Sequence, residues 1–330
     1  VRSETQFDDT AVSVHPNDKR YQQYIDQEIE IETLLGKTKI KVIADEYVNL
    51  EFGTGVVKIT PLHDPNDFEV AKRHPDLPEA KLAIDQYGKL TDIAGPYAGL
   101  KVAEARAKIV ADLTTQGLIE KVDENYTHSV GLCYKCKNPV EPRVLPQWFI
   151  AMTKTGKSGK NLRDDAVAAV NNGEIKFISQ QYANQFYAWL ENLRDWNISH
   201  QIVGGIQLPI WYCQNNSQLP CPAIVTDGQT PKSCPTCGQN NLVRDNDVFN
   251  TWFSSGQWPF AALEAQENQF PGTYARYYPT AMMETAYDIL FFWVARMIML
   301  GLYTTGKAPF KEVYIHGLVR DHDRQTMSKS

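Results

Sequence analysis

Residues 53–70, GTGVVKITPLHDPNDFEV, decide how this chain is read, because they join a strand with a polar face to a helix start that carries two carboxylates. In the run VVKIT the two-residue period of a strand puts Lys58 and Thr60 on one face, with Val57 and Ile59 on the other. Pro61 and Leu62 make a short turn into His63-Asp64-Pro65, where Asp64 has the place of an N-cap and Pro65 that of the first helical residue. Asp67 belongs to the first turn of that helix. Strand and helix packed together would bring an ammonium, a hydroxyl, one or two carboxylates and a helix N-terminus into one polar pocket. Asp-Pro-x-Asp is also a sound helix start in its own right, so capping accounts for Asp64 and competes with chemistry at Asp67.

Around this stretch the chain has 330 residues, enough for two domains that each bury a core. Its 33 basic and 39 acidic residues leave a net charge of -6, so nothing global points to nucleic acid, and any RNA contact rests on local patches. No charged-then-apolar leader opens the chain. Val1 lies inside what looks like a strand, and the sequence reads as a fragment lacking its own start. The most apolar run, residues 289–303 (ILFFWVARMIMLGLY), is interrupted by Arg296 and preceded by Asp288, which predicts a buried helix rather than a membrane span. The six cysteines include two Cys-x-x-Cys pairs, Cys133/Cys136 and Cys234/Cys237, with Cys213 and Cys221 as singles; with no secretory signal, metal is expected before disulfides.

In chain order, residues 1 to about 130 alternate short strands with two helices, at Asn66 to His74 and at Val102 to Gln116, the second ended by Gly117. Residues 138–148, NPVEPRVLPQW, carry three prolines and are the expected boundary, dividing the chain into 1–145 and 146–330. Cys133 and Cys136 supply half of a tetrahedral site. The second part reads as α/β. Its Gly156-Lys157-Ser158 is no phosphate loop, since Ala151 stands where that loop needs glycine. A helix is expected from Gln180 to about Asn197, followed by a strand-like approach to Cys213. Cys234 and Cys237 form a knuckle, with Cys213 as a third ligand and Cys221 as a fourth; four thiolates leave no open position, so such a zinc would fold a small insertion rather than catalyse.

The stretch GTGVVKITPLHDPNDFEV resembles the editing-pocket signature of the valyl-tRNA synthetase family of class I aminoacyl-tRNA synthetases, and Arg2-Ser3-Glu4-Thr5 resembles that family's Arg-x-Glu-Thr segment. Further on, DVFNTWFSSGQWPF, ETAYDILFFWVARM and VYIHGLVRDHDRQTMSKS follow in the order of the second half of a class I core. The resemblance implies an α/β fold: a β-rich, barrel-like editing domain over 1–145, ending in the Cys133/Cys136 knuckle, then the distal half of a Rossmann-type core over 146–330 with a zinc-knuckle insertion. It implies Lys58, Thr60, Asp64, Asp67 and Arg2 as editing residues. Asp67 would hold the amino group or hydroxyl of a misattached threonine, while Asp64, Lys58 and Arg2 position the tRNA end and the ester. Trp252, Asp288 and Trp293 would form the amino-acid pocket. Met327, Ser328, Lys329 and Ser330 would form the mobile loop that stabilises charge on ATP phosphates. The implied partners are tRNA(Val), valine, ATP with Mg2+ and, for editing, threonine, in a cytoplasmic monomer with no membrane association.

The match has departures. His200 stands where the family has Arg, Gly204 where it has Trp, Asn250 where Asp is usual, Ala286 where Gly is usual, and Thr326 in place of the first Lys of the terminal loop. The HIGH signature and the anticodon-binding region of the family are not in these residues, so the fragment is expected not to make an adenylate. Editing answers a physical need: a slot shaped for valine rejects its near isostere threonine only about a hundredfold, the valine-against-threonine case being itself the general example of that limit. A free-standing deacylase and a zinc-stabilised tRNA-binding module without activity are the competing readings.

Overall fold

The computed structural model describes residues 2–123, 125–133, 135–156, 158–214 and 221–327. Its contacts divide the chain into two compact units, Val1–Leu145 and Pro146–Ser330.

In the first unit a 3-10 helix over Ser3–Asp8 opens the described chain where the sequence suggested a strand. Four strands follow: β1 (Ala11–Val14), β2 (Glu28–Thr33), β3 (Gly36–Ala44) and β4 (Val56–Ile59). They form one mixed sheet in the order β2-β3-β1-β4, with β1 parallel to β3 and antiparallel to β4. The β2-β3 ribbon is set by charge as well as by its turn. Glu28, Glu30 and Glu32 face Lys41, Lys39 and Lys37 across the ladder, an arrangement of opposite charges that a slipped register would break. The Gly-Thr-Gly turn before β4 needs its second glycine: Gly55 has φ +75°, and a Cβ there would meet the Arg20 guanidinium, itself held by Asp18.

Helix α1 (Pro65–Arg73) begins immediately after β4 and buries Val70 against Ala11, Ile43 and Ile59. Helix α2 (Val102–Thr115) buries Ala105 and Ile109 in a second small core with Ile84, Leu90, Ala94 and Tyr97. Gly117, at φ +69°, follows its end as expected.

The second unit has the larger core. A parallel three-stranded sheet runs in the order Thr280–Ala286, Phe310–His316, Lys176–Phe177. The first two strands are joined through the helix Ala295–Thr305, a βαβ crossover that Gly306 ends at φ +73°. Ala295 and the run Met297–Leu302 are buried in the core. The longer segment Tyr287–Thr305 is apolar and long enough to cross a membrane, but half of it is buried inside this unit, as in a core helix.

Two expected boundaries shift. The helix from Gln180 ends at Glu191, not near Asn197, because Asp195 turns back to accept the Met152 N–H (3.1 Å) and Trp196–Asn197 pairs as a strand with Phe149–Ile150. The last strand, expected over Val313 to Val319, ends at His316; from there the chain makes an exposed loop in which the Met327 N–H donates to the Val319 carbonyl (3.0 Å).

Candidate functional site

The strand-to-helix junction of the first unit brings together the residues read from the sequence. Asp64 is the N-cap of α1: its Oδ1 accepts the Asn66 N–H at 2.7 Å and the Asp67 N–H at 3.4 Å. Asp67 sits one turn in and is buried; its Oδ2 reaches back to accept the Thr60 N–H at 2.9 Å. The Thr60 side chain donates to Asp9 Oδ1 (2.6 Å) and accepts from Lys58, whose ammonium also donates to Asp9 Oδ1 (2.8 Å) and to Thr5 Oγ1 (3.1 Å). Thr60 is therefore the hinge of the site, with its hydroxyl on the Lys58–Asp9 ion pair and its backbone on Asp67.

Burial sets the electrostatics. Asp67 is raised to about 6, first by desolvation and then by the nearby Asp64 charge, with the Thr60 N–H and Lys58 pulling the other way. Asp9 is also raised by burial, and Lys58 opposes this. Asp8 is raised to about 6 by desolvation; its Oδ1 accepts the Lys81 N–H, while Oδ2 is buried without a partner among the described residues. Arg2 stands at the edge, bonded to Glu4 (3.0 Å), Glu141 (2.5 Å) and the His63 carbonyl (3.3 Å). Glu4 is fully buried; desolvation works against its charge, yet hydrogen bonds led by Arg106 win and hold it at about 2.

Asp9, Thr5 and Glu4 carry much of this geometry; the sequence reading quoted Glu4 and Thr5 only within the Arg2-Ser3-Glu4-Thr5 segment, with no role given to either, and did not single out Asp9. Asp9 stands two residues before β1, and only the pairing of β1 with β4 sets it beside Lys58. Which of two adjacent aspartates turns to Lys58 is decided by the 3-10 turn before it, and periodicity does not show that.

In the second unit Trp252 stacks on Phe292 (5.7 Å between centroids) and lines a cavity of about 530 Å³ with Trp189, Trp196, His200, Asn250 and Arg296. Arg296 lies over the Trp196 ring at 3.6 Å. Trp293 does not line this cavity: its indole N–H donates to the Ser255 carbonyl at 3.0 Å. Asp288 is exposed on a 3-10 turn and is not among the lining residues either. The departures His200 and Asn250 prove to be one feature. Asn250 Oδ1 accepts the Trp252 N–H (2.8 Å), which turns its amide N–H toward His200 Nε2 at 2.9 Å. Met327 is exposed, and Ser328, Lys329 and Ser330 lie outside the described residues.

Cys213, Cys221, Cys234 and Cys237 converge, with all four Sγ atoms within 4.8 Å of one another and Cys213 to Cys237 at 3.5 Å. Tetrahedral thiolates at the usual zinc distance of ~2.3 Å lie ~3.8 Å apart, so the donor set fits a closed metal site. The Cys234 turn is closed by the Cys234 N–H to the Gln239 carbonyl and the Gly238 N–H to the Cys234 carbonyl, both 2.8 Å. Cys133 repeats that pattern with Asn138 and Lys137 at the same distances, so the other pair has the same knuckle backbone.

A family profile described as "tRNA synthetases class I (I, L, M and V)" matches residues 17–330. The chain belongs to the class I tRNA synthetases. Its curated relatives include valine--tRNA ligases: it is 45% identical over 330 residues to that of Solibacter usitatus, and 46% to that of Carboxydothermus hydrogenoformans. All of this chain is covered, but only 36% and 35% of theirs, so it spans about a third of the length of the curated relatives it matches. Among solved structures, the methionyl-tRNA synthetase of Mycobacterium tuberculosis bound by methionyl-adenylate overlaps 61% of this chain and 31% of its own, at 14% identity and a TM-score of 0.37, too loosely to argue from.

Proposed function

We propose that the chain is part of a valine--tRNA ligase, in which the first unit is the barrel-like editing domain that hydrolyses threonine from wrongly charged tRNA(Val). The second unit is then the distal half of the Rossmann-type core that, in the whole protein, joins valine to tRNA(Val) at the expense of ATP with Mg2+. The observation that carries the editing half is the convergence of Lys58, Thr60 and Asp67 on one junction with Asp9.

In the hydrolysis, water adds to the ester carbonyl carbon and the bond to the ribose oxygen breaks; one proton of the water ends on that oxygen, the other is released to solvent, and threonine leaves as a carboxylate. Asp67, ionised at neutral pH, keeps Oδ2 on the Thr60 N–H and offers Oδ1 to the ammonium or hydroxyl of threonine. Lys58 spends its three N–H bonds on Thr5, Asp9 and Thr60, so it reaches the ester only by exchanging one of them. Arg2 and Asp64 are likewise engaged, by carboxylates and by the α1 cap, and shape the rim that receives the tRNA end. Orientation and fixed charge then supply the acceleration.

For the second unit, Trp252 in its cavity remains our reading of the valine pocket, with Trp293 and Asp288, which do not line that cavity, assigned to it from the family resemblance alone, and Met327 to Ser330 our reading of the ATP loop. We assign a structural Zn2+ to Cys213, Cys221, Cys234 and Cys237, and half of a second site to Cys133 and Cys136. The test is deacylation of threonyl-tRNA(Val) by the purified protein: loss of the ester with wild type and its persistence with Asp67→Ala support the reading, and equal rates remove it.

A further inference from the structure

A histidine next to an aspartate, one turn from a second carboxylate, invites the role of general base. The geometry of His63 points elsewhere. Its ring is 2% exposed, and its Nε2 lies 2.8 Å from the Ala83 N–H. A backbone N–H can only donate, so Nε2 carries the lone pair and the ring proton sits on Nδ1. That Nδ1–H is buried near the Pro142 carbonyl without a well-directed hydrogen bond. The ring is held neutral: burial lowers it to about 4, and the positive charges of Arg2, Lys58 and Arg143 act in the same direction. A base must reach water with its lone pair, and here the lone pair is spent inside the protein.

The other polar groups of the same residue are equally committed. The His63 N–H donates to the Thr60 carbonyl at 3.1 Å, and the His63 carbonyl accepts from Arg2 Nη1 at 3.3 Å. One residue thus joins the end of β4, the Arg2 guanidinium and the buried segment Ala83–Ile84, and the next residue is the cap of α1. The segment is held in turn by Thr91, whose N–H donates to the Ala83 carbonyl (2.9 Å) and whose hydroxyl donates to the Leu82 carbonyl (2.6 Å). The turn Pro61–Asp64 sets how far Asp67 stands from Thr60 and Lys58.

We propose that His63 is a neutral positioning residue of the editing pocket: by accepting the Ala83 N–H it pins the turn that places Asp67 against Thr60, and it takes no part in proton transfer. This rests on the editing function proposed above. Displacing a reacting group by ~1 Å can cost ~100-fold in rate, so the effect belongs in kcat.

The experiment compares deacylation of threonyl-tRNA(Val) by wild type, His63→Gln, His63→Leu and Asp67→Ala, each confirmed folded by circular dichroism and thermal melting. Gln carries an acceptor to about the place of Nε2; Leu fills similar space without one. The expected result is His63→Gln within about threefold of wild type, and His63→Leu lowered ~10- to 100-fold in kcat with KM changed far less. His63→Gln falling as far as His63→Leu while still folded would make the imidazole chemical and overturn the proposal, and so would a fully active His63→Leu. If His63→Leu does not fold, His63→Gln alone decides, through its rate and through whether the acid limb of its pH profile matches wild type. Asp67→Ala separates the two readings: a fully active Asp67→Ala removes the editing site itself, whereas an inactive one beside an unaffected His63→Leu removes only the role given to His63.

Discussion

The carboxylate of Asp67 accepts the backbone N–H of Thr60 at 2.9 Å, from the first turn of a helix back to the residue that follows the strand before it. The strand's other polar edge is an ion pair, Lys58 with Asp9, so the junction holds a buried acid raised to about 6 within reach of a fixed positive charge. A group tuned to that range is what a site working near neutral pH uses.

From this follows a pH dependence. If ionised Asp67 grips the ammonium of threonine, enzymatic deacylation, after subtraction of spontaneous ester hydrolysis, rises through about pH 6 and is flat above about pH 7. Asp67→Asn is expected to be low and to lose that acid limb. A wild-type profile with no limb near 6 would separate Asp67 from the chemistry.

Asp8 predicts a stability effect of definite sign. Its carboxyl is raised from 3.8 to about 6, chiefly by burial, so the folded protein holds the proton more tightly than the unfolded chain. The contribution is full below about pH 4 and is lost as pH rises through about 6. Asp8→Asn keeps an acceptor for the Lys81 N–H and never ionises; at pH 7 it should unfold at higher urea, by about 2–3 kcal/mol, with the gain vanishing at pH 4.

The four-cysteine cluster predicts bound metal. Elemental analysis of the purified protein should find about one zinc per chain at this cluster, and Cys234→Ser should lower the zinc content. Because Cys213 ends the strand Ile210–Cys213 and the other three ligands lie between it and its partner strand Leu242–Arg244, chelation should expose amides there to hydrogen exchange while the core around Phe186 and Phe310 stays protected.

His200 and Asn250 predict energetic coupling. They are hydrogen-bonded at 2.9 Å. His200→Arg alone puts a guanidinium beside an amide. Combined with Asn250→Asp it makes an ion pair, and a double-mutant cycle in urea should return a favourable coupling of about 1 kcal/mol. A coupling of zero would make the two substitutions independent.

The sequence alone determined a good deal. Alternation located the polar and apolar faces of β4, because one face of each position pair must be buried and the other solvated, but not β1; Asp64-Pro65 located the start of α1; and the knuckle spacing located both cysteine turns. These are local signals, carried by neighbours in the chain. Tertiary structure alone decided that Asp9 and Thr5, about fifty residues from Lys58, complete its hydrogen bonds, because β1 pairs with β4 and no period in the sequence encodes that partner. It also decided that His63 is buried and neutral and that Trp252 and Trp293 part company at the cavity, and it brought Cys213 and Cys221, expected as third and fourth ligands, to within 4.8 Å of the knuckle. A pKa and a ligand set depend on what the folded chain packs around a group and how much water it removes, and neither is a property of the segment the group comes from.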